Sequence, residues 1–547
     1  MNFLFVLMYF FSRRPSQLAL LLFFPLMACA TDPPPTPPKY EFRAVWVATF
    51  HNIDWPSDKG LPSPQQKEEY QALVQRQKTN GMNALLVQIR PSGDAFYPSR
   101  FAPWSEFVTG KQGVPPSPYY DPLAFMVEET HAANMEFHAW MNPFRAISHK
   151  RFSSVDQSNA ALRHPEWCFD YGERTYFNPG LPEVRDYLIQ IVMEVVKNYD
   201  IDGVHFDDYF YPYEEPGNPF VGDLNTFRTY GAGFDDIHDW RRHTLDLFIR
   251  DLSDSIRSVK PWVKFGVSPV GIWRNKKDDP RGSATSSSHT AYDMLHADVR
   301  FWLVKGWIDY VAPQLYWSTS HPLANFNELL PWWAANSFGR HVYVGHAAFK
   351  LEENISRYWV NPSQLPLQLT LRREMQERIQ GGVFYSAHSF ESNPHGLEDM
   401  LRNNFHRFPA FAPPMPWKDP LPPLAVTELE ARRNLSNVLL SWNPPTAAAD
   451  GDTASLYAIY RFRSSEAEDL TRMDRLLGLS SQPFFIDQRP LGASCYYLVT
   501  SMDRLHNESV AVRAAVGSTM KQVDIHSSPL PTTAPSLRGG NRLSGDL

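Results

Sequence analysis

Two adjacent carboxylates, Asp207 and Asp208, close the run Val204-His205-Phe206-Asp207-Asp208-Tyr209. Neighbouring carboxyls can push one pKa up, so that one member of the pair keeps its proton. Glycoside cleavage needs such a proton donor for the leaving oxygen, and a second group for the developing oxocarbenium ion. The run itself reads as a short buried strand. Successive strand side chains point to opposite sides. The two acids therefore share a pocket only if the strand has ended or bulged there. Otherwise one faces the lumen and the other packs behind it; in a purely structural role both would pair with Arg90 or Arg145.

The elements that must position this pair form a repeat. Eight short apolar runs are predicted as strands: Phe42–Phe50, Ala84–Arg90, Glu136–Pro143, Gly203–Tyr209, Lys264–Ile272, Tyr310–Trp317, His341–Phe349 and Gly382–His388. Runs rich in Val, Ile and aromatics suit strands covered on both faces. Helix signals separate them, at Gln65–Asn80, Asp121–Asn134, Pro182–Tyr199, Ile237–Val259, Thr290–Lys305, Pro322–Asn336, Pro362–Gln380 and His395–His406. Alternation argues a parallel sheet, and eight repeats argue closure into a (β/α)8 TIM barrel of the α/β class. An open doubly wound sheet is the alternative, but no Gly-rich phosphate loop follows the first run.

In such a barrel the site lies at the C-terminal ends of the strands. The second strand supplies Arg90, with Asp94 beyond it, and the third Asn142 and Arg145. The fourth supplies His205, Asp207, Asp208 and Tyr209. The sixth gives Gln314, Tyr316 and Trp317, and the eighth His388. Carboxylates, amides and aromatics together suit a polyhydroxylated ligand. Trp55, Trp104, Trp140, Trp273 and Trp317 are candidates for stacking on sugar rings. Asp94, Glu214 and Glu215 are reserve acids. The segment Tyr211–Asp236, rich in Pro, Gly and aromatics, is much longer than a usual βα loop. It is expected to wall the cleft.

Composition narrows the partners. The 547 residues carry a net charge of −7, so there is no basic footprint for nucleic acid. The three cysteines, Cys29, Cys168 and Cys495, form no metal-binding spacing. No metal or cofactor is expected. Arg13-Arg14 precede the apolar stretch Leu18–Ala28, which reads as a secretory signal over residues 1–28. Its ending, Leu26-Met27-Ala28-Cys29, resembles a bacterial lipobox. That implies a lipidated Cys29, a Pro-rich tether over 29–39 and a membrane-anchored envelope protein, most simply on the periplasmic face of an outer membrane. The barrel is expected over 40–410 and a Pro-rich linker over 411–423. A small all-β sandwich is expected over 424–518 and a disordered tail over 519–547. Leu440-Ser441-Trp442, Tyr457-Ala458-Ile459-Tyr460-Arg461 and Tyr496-Tyr497-Leu498-Val499 resemble a fibronectin type III domain, which implies a spacer or a docking surface for envelope proteins.

Longer motifs are more specific. Phe42-Arg43-Ala44-Val45-Trp46-Val47, Gln88-Ile89-Arg90-Pro91, Ala139-Trp140-Met141-Asn142-Pro143, Asp202 through Pro212 and Ala312-Pro313-Gln314-Leu315-Tyr316-Trp317 resemble glycosyl hydrolase-like family 10. The family includes a bacterial envelope glycosidase that cuts peptidoglycan strands stripped of their stem peptides. The resemblance implies a cell-wall glycan hydrolase, with Asp207 and Asp208 as first candidates and Arg90, Asn142 and Gln314 lining the cleft. The fourth strand is also similar to that of family 18 chitinases, but His205 and Tyr209 stand where two of their acids would be. Substrate assistance by an N-acetyl group, with Asp208 as donor, stays open. So do two other readings: a nutrient-polysaccharide hydrolase and an inactive glycan-binding lipoprotein.

Overall fold

The eight apolar runs pair in sequence order and the eighth returns to the first, closing a parallel barrel. The structure, a computed structural model, describes residues 37–149, 154–352, 356–434, 436–491 and 495–517. Cys29, the signal segment and the tail at 519–547 lie outside the described residues. The barrel strands are Phe42–Val47, Ala84–Arg90, Glu136–Met141, Gly203–Phe206, Lys264–Val267, Tyr310–Val311, His341–Ala347 and Gly381–Tyr385.

Alternation assigns the faces. Phe42, Ala44 and Trp46 pack inside the barrel with Trp140, Tyr310 and Tyr343, while Val45 and Val47 join the layer beneath the helices. Glycines on facing strands make room for rings in this interior. A Cβ on Gly266 would lie 2.1 Å from the Tyr310 ring, and one on Gly203 would lie 2.5 Å from His138 Nδ1. Helices such as Pro182–Asn198 and Ile237–Val259 cover the outside.

Several strands end earlier than their apolar runs. The third stops before Pro143, the fifth before Pro269 and the sixth before Pro313. Proline has no N–H to give a ladder. Beyond those points only the single bridges Val270–Gln314 and Gln314–Gly345 persist. The predicted helix over Thr290–Lys305 is helical only at Val299–Lys305, where the Asp298 side chain caps the Phe301 N–H. A three-stranded antiparallel ribbon, Arg145–Ile147, Cys168–Tyr171 and Arg174–Phe177, rises after the third barrel strand. Strands of three or four residues leave too short a pattern to be read.

The seam where the chain closes on itself holds a buried charge cluster. Glu41 accepts hydrogen bonds from Arg43 Nε (2.7 Å), Arg372 Nη2 (2.7 Å) and Arg373 Nε and Nη2 (2.9 and 2.7 Å). Arg372 and Arg373 belong to the helix Gln364–Glu374, so this carboxylate ties the first strand to the last third of the barrel.

After the barrel, seven strands form two antiparallel sheets of three and four strands. Trp442 and Tyr457 pack edge to face at 5.1 Å in their core. The segment expected as a linker at 411–423 is in part a plug. Ala412 and Met415 are buried among the barrel's interior aromatics, and Trp417 and Lys418 both hydrogen-bond Asp309. The sandwich adds His506, whose Nε2 lies 2.8 Å from Glu136 Oε1, beside the contact of Lys264 with the same carboxylate. Glu136 and Lys264 begin their strands, so this is the end of the barrel opposite the Asp pair. No described helix is long and apolar enough to cross a membrane.

Candidate active site

The fourth strand ends at Phe206, one residue before the acids. Released from the pleat, Asp207 and Asp208 lie close enough that the Asp207 carboxyl acts directly on that of Asp208. The backbone N–H of Asp208 donates to Asp207 Oδ1 (2.9 Å).

Asp207 is half-buried and held by two amides from opposite sides. Gln314 Nε2 donates to its Oδ1 (3.2 Å) and Asn142 Nδ2 to its Oδ2 (3.3 Å). The amides are themselves oriented. Gln88 Oε1 accepts from the N–H groups of Thr49 (3.1 Å) and Phe50 (2.9 Å), so its NH2 must face Asn142 Oδ1 (2.7 Å). That turns the Asn142 NH2 toward Asp207. Gln314 is aimed in the same way by donation to the Ser268 carbonyl (3.2 Å).

Asp208 is buried. Burial first, then the charge of Asp207 and the hydrogen bond between them, push its carboxyl well above the usual range; the Tyr213 hydroxyl and the Arg145 guanidinium oppose this. Asp208 is thus the member that keeps a proton more readily, while Asp207 accepts from its N–H neighbours. Tyr213 donates to Asp208 Oδ2. The Arg145 guanidinium lies 3.5 Å from the centre of the Tyr209 ring. The Tyr213→Phe variant is expected to move the alkaline limb of the pH–rate profile upward, because a donor that lowers the Asp208 pKa is gone. Its kcat/KM should fall about tenfold, one hydrogen bond of about 1.4 kcal/mol. An unmoved alkaline limb would show that Asp208 does not set it.

Of the residues expected at the mouth, Asp207, Asp208, Tyr209, Asn142, Arg145 and Gln314 come together. Tyr316 and Trp317 are half-buried, and Tyr316 packs near Tyr385 and Phe349. Others do not line the cleft. His205 is fully buried: its Nε2 accepts from Trp46 Nε1 (3.1 Å), so Nδ1 faces the Tyr310 hydroxyl (3.1 Å) inside the barrel. Trp140 belongs to the same interior layer. Arg90 is also buried and donates to the carbonyls of Asn142 and Pro143 (3.1 and 3.2 Å), with its guanidinium 6.0 Å from the Phe177 ring. A register shift between Gln88 and Arg90 puts Gln88, not Arg90, toward the acids.

Asp94 is buried against Gln112, and burial pushes its carboxyl up to about 6. Trp55 and Trp273 are core residues whose Nε1 groups bond the Gln66 carbonyl and Asp298, so neither is free to stack on sugar. Glu214 and Glu215 turn to their own loop. In that loop Tyr211 and Phe220 are buried around the Arg241–Asp223 ion pair. Only its start, Tyr213, reaches the acids, and shortening the loop would strand Arg241.

Gln88, Ser268 and Tyr213 were missed, as was Asp54. Asp54 accepts from the Ala48 N–H (2.6 Å), Ser386 Oγ (2.7 Å) and the His388 N–H (2.6 Å), pinning the ends of the first and eighth strands together. Gln88 sits in a motif the sequence offers, two residues before the Arg90 that was read instead.

A barrel with a neighbouring carboxyl pair at its C-terminal mouth, set among amides and aromatics, defines a glycoside hydrolase. The chain belongs to the glycosyl hydrolase-like 10 family, whose model matches residues 41–361. It is 43% identical over 478 residues to the glycosyl hydrolase YngK of Bacillus subtilis (strain 168), covering 86% of this chain and 92% of the relative. It is 37% identical over 411 residues to the glycosyl hydrolase DigH of Escherichia coli (strain K12), covering 68% and 92%. Among solved structures, the PgaB (BpsB) glycoside hydrolase domain from Bordetella bronchiseptica matches with 15% identity and a TM-score of 0.44, covering 66% of this chain and 98% of that one.

Proposed function

We propose that the protein hydrolyses peptide-free peptidoglycan strands and that the substrate's own N-acetyl group serves as the nucleophile. The supporting observation is that the two carboxyls belong to successive residues just past one strand end, with the Asp208 N–H bonded to Asp207 Oδ1 (2.9 Å). A retaining pair stands about 5–5.5 Å apart and an inverting pair about 6.5–9.5 Å, each flanking the sugar from two sides. Neighbouring carboxyls at one strand end reach the sugar from one side. Asp208 gives its proton to the glycosidic oxygen as the C1–O bond breaks. The acetamido carbonyl oxygen bonds to C1, and Asp207 accepts from the acetamido N–H. Water then opens the cyclic intermediate, returning a proton to Asp208. Both sugars of the peptidoglycan backbone are N-acetylated, which agrees with the resemblance of the motifs to an envelope glycosidase family.

The test is mass spectrometry of products from purified peptide-free strands, with proton NMR of the freshly released ends to read their anomeric configuration. Peptide-free oligosaccharides released with retained anomeric configuration are expected. Release of sugars from nutrient polysaccharides with intact wall strands would sink the substrate reading, and inversion would sink the mechanism. In the cell, Cys29 carries the lipid anchor in this reading, and the fibronectin type III-like sandwich meets envelope proteins. Cys29→Ala is then expected in the soluble fraction or as an unprocessed precursor. A correctly cleaved variant that stays on membranes would refute lipidation.

A further inference from the structure

Arg145 is a buried cation without an anionic partner. Its residue is 5% exposed, and its Nε meets no acceptor. Its guanidinium lies over the Tyr209 ring, 3.5 Å from the ring centre, and 5.2 Å from that of Phe50. Among the described residues no carboxylate lies within ion-pair distance of it, although it is close enough to Asp208 to act on it electrostatically. Buried charges are ordinarily paired. Arg145 opens the short ribbon after the third barrel strand, opposite Tyr176. Arg174 lies two residues from Tyr176, on the same face of the ribbon by alternation. It too is half-buried and has no carboxylate at ion-pair distance among the described residues. Both guanidiniums act on His51, at the end of the first strand: burial first, and these two cations with Lys59 against Glu106, lower its imidazole pKa. Arg145 is thus an unpaired guanidinium beside the acids, and Arg174 a second one on the same ribbon.

We propose that Arg145, with Arg174, forms an anion subsite of the cleft that takes the free lactyl carboxylate of a muramyl residue. This rests on the peptidoglycan reading above and deepens it. A guanidinium stacked on an aromatic face keeps its edge available for two parallel N–H···O bonds to a carboxylate. On a strand that still carries stem peptides, the same lactyl group is an amide. It has no charge for Arg145 and brings a peptide into the cleft. The subsite thus selects stripped strands by chemistry as well as by size.

The test compares a peptide-free muramyl tetrasaccharide with its methyl ester, using the full chain. Wild type is expected to favour the free acid by at least about tenfold in kcat/KM, mainly through KM. Arg145→Gln, which also removes a charge that acts on Asp208, should lower activity on both substrates but far more on the acid, bringing that ratio close to one; Arg145→Lys should keep part of it, and Arg174→Gln should reduce it. An equal loss on acid and ester in Arg145→Gln would overturn the proposal, since Arg145 would then serve only the Asp pair. If Arg145→Gln does not fold by circular dichroism, the wild-type ratio and the half-exposed Arg174 decide: a wild-type ratio near one overturns the subsite. Calorimetric binding of acid and ester to Asp208→Asn separates the two readings. Discrimination in binding without cleavage by wild type would sink the reaction and keep the subsite, whereas binding without discrimination would sink the subsite. An oligogalacturonate, with its carboxylates on the ring, is the control; equal competition by it would overturn the lactyl assignment.

Discussion

Asp208→Asn is expected to cut turnover at least ~10²-fold, the lower bound for removing a positioned acid–base group, while the protein stays folded. Asp207→Asn should cost as much, because the amide can no longer accept from both Gln314 and Asn142 and from the substrate. The pH dependence carries the sign. The folded Asp208 carboxyl titrates above its unfolded value, so wild-type activity should fall as pH rises through that raised pKa. Stability follows the same linkage. Below the unfolded pKa the acid is neutral in both states. Above it the unfolded chain ionises while the buried group does not, so its contribution is lost as pH rises through the folded pKa. An amide at this position does not titrate and lacks this slope. The Asp208→Asn variant should therefore gain thermal stability over wild type as pH rises from about 4 to about 8, measured by calorimetry. Wild-type turnover in both single variants would end the assignment of the pair.

The second large effect concerns folding. Glu41→Ala should destabilise the barrel by about 3–5 kcal/mol, the cost of breaking a buried ion cluster by removing one partner. Arg43, Arg372 and Arg373 would be left facing one another at the seam. Despite the cost of burial, these three arginines hold the Glu41 carboxyl well below its usual range. Its contribution is present above the unfolded carboxyl pKa and is lost as pH falls through the folded value. Wild type should thus lose stability toward acid more steeply than the variant. Urea titrations at about pH 7 and about pH 4 check this, and equal midpoints for both proteins at neutral pH would refute it.

The barrel was legible because every strand core is an apolar run flanked by helix signals. Where those runs ended was not, since Pro269 and Pro313 stop the ladder while apolar residues continue past them. The Asp pair was legible as a pair, and the strand end that lets it share a pocket was stated as a condition. Side-chain direction was the weak point. Trp140 and His205 occupy the barrel interior, Trp55 and Trp273 its outer core. The misreading of Arg90 for Gln88 comes from a one-residue register shift that no composition or periodicity reveals. Gln88 and Ser268 act through other residues, so their types alone carry no chemical signal.

The Pro-rich stretch after residue 410 has the composition of a hinge, and the structure gives it the opposite mechanical character. Met415 is a stopper, Asp309 grips Trp417 and Lys418, and His506 reaches Glu136 beside Lys264. A chain cut at 410 would leave Glu136, Lys264 and Asp309 facing water at an open barrel floor. The boundary between the catalytic and accessory modules is therefore one of composition and not of foldability. The sandwich is thus braced on the barrel floor, at the end opposite the Asp pair.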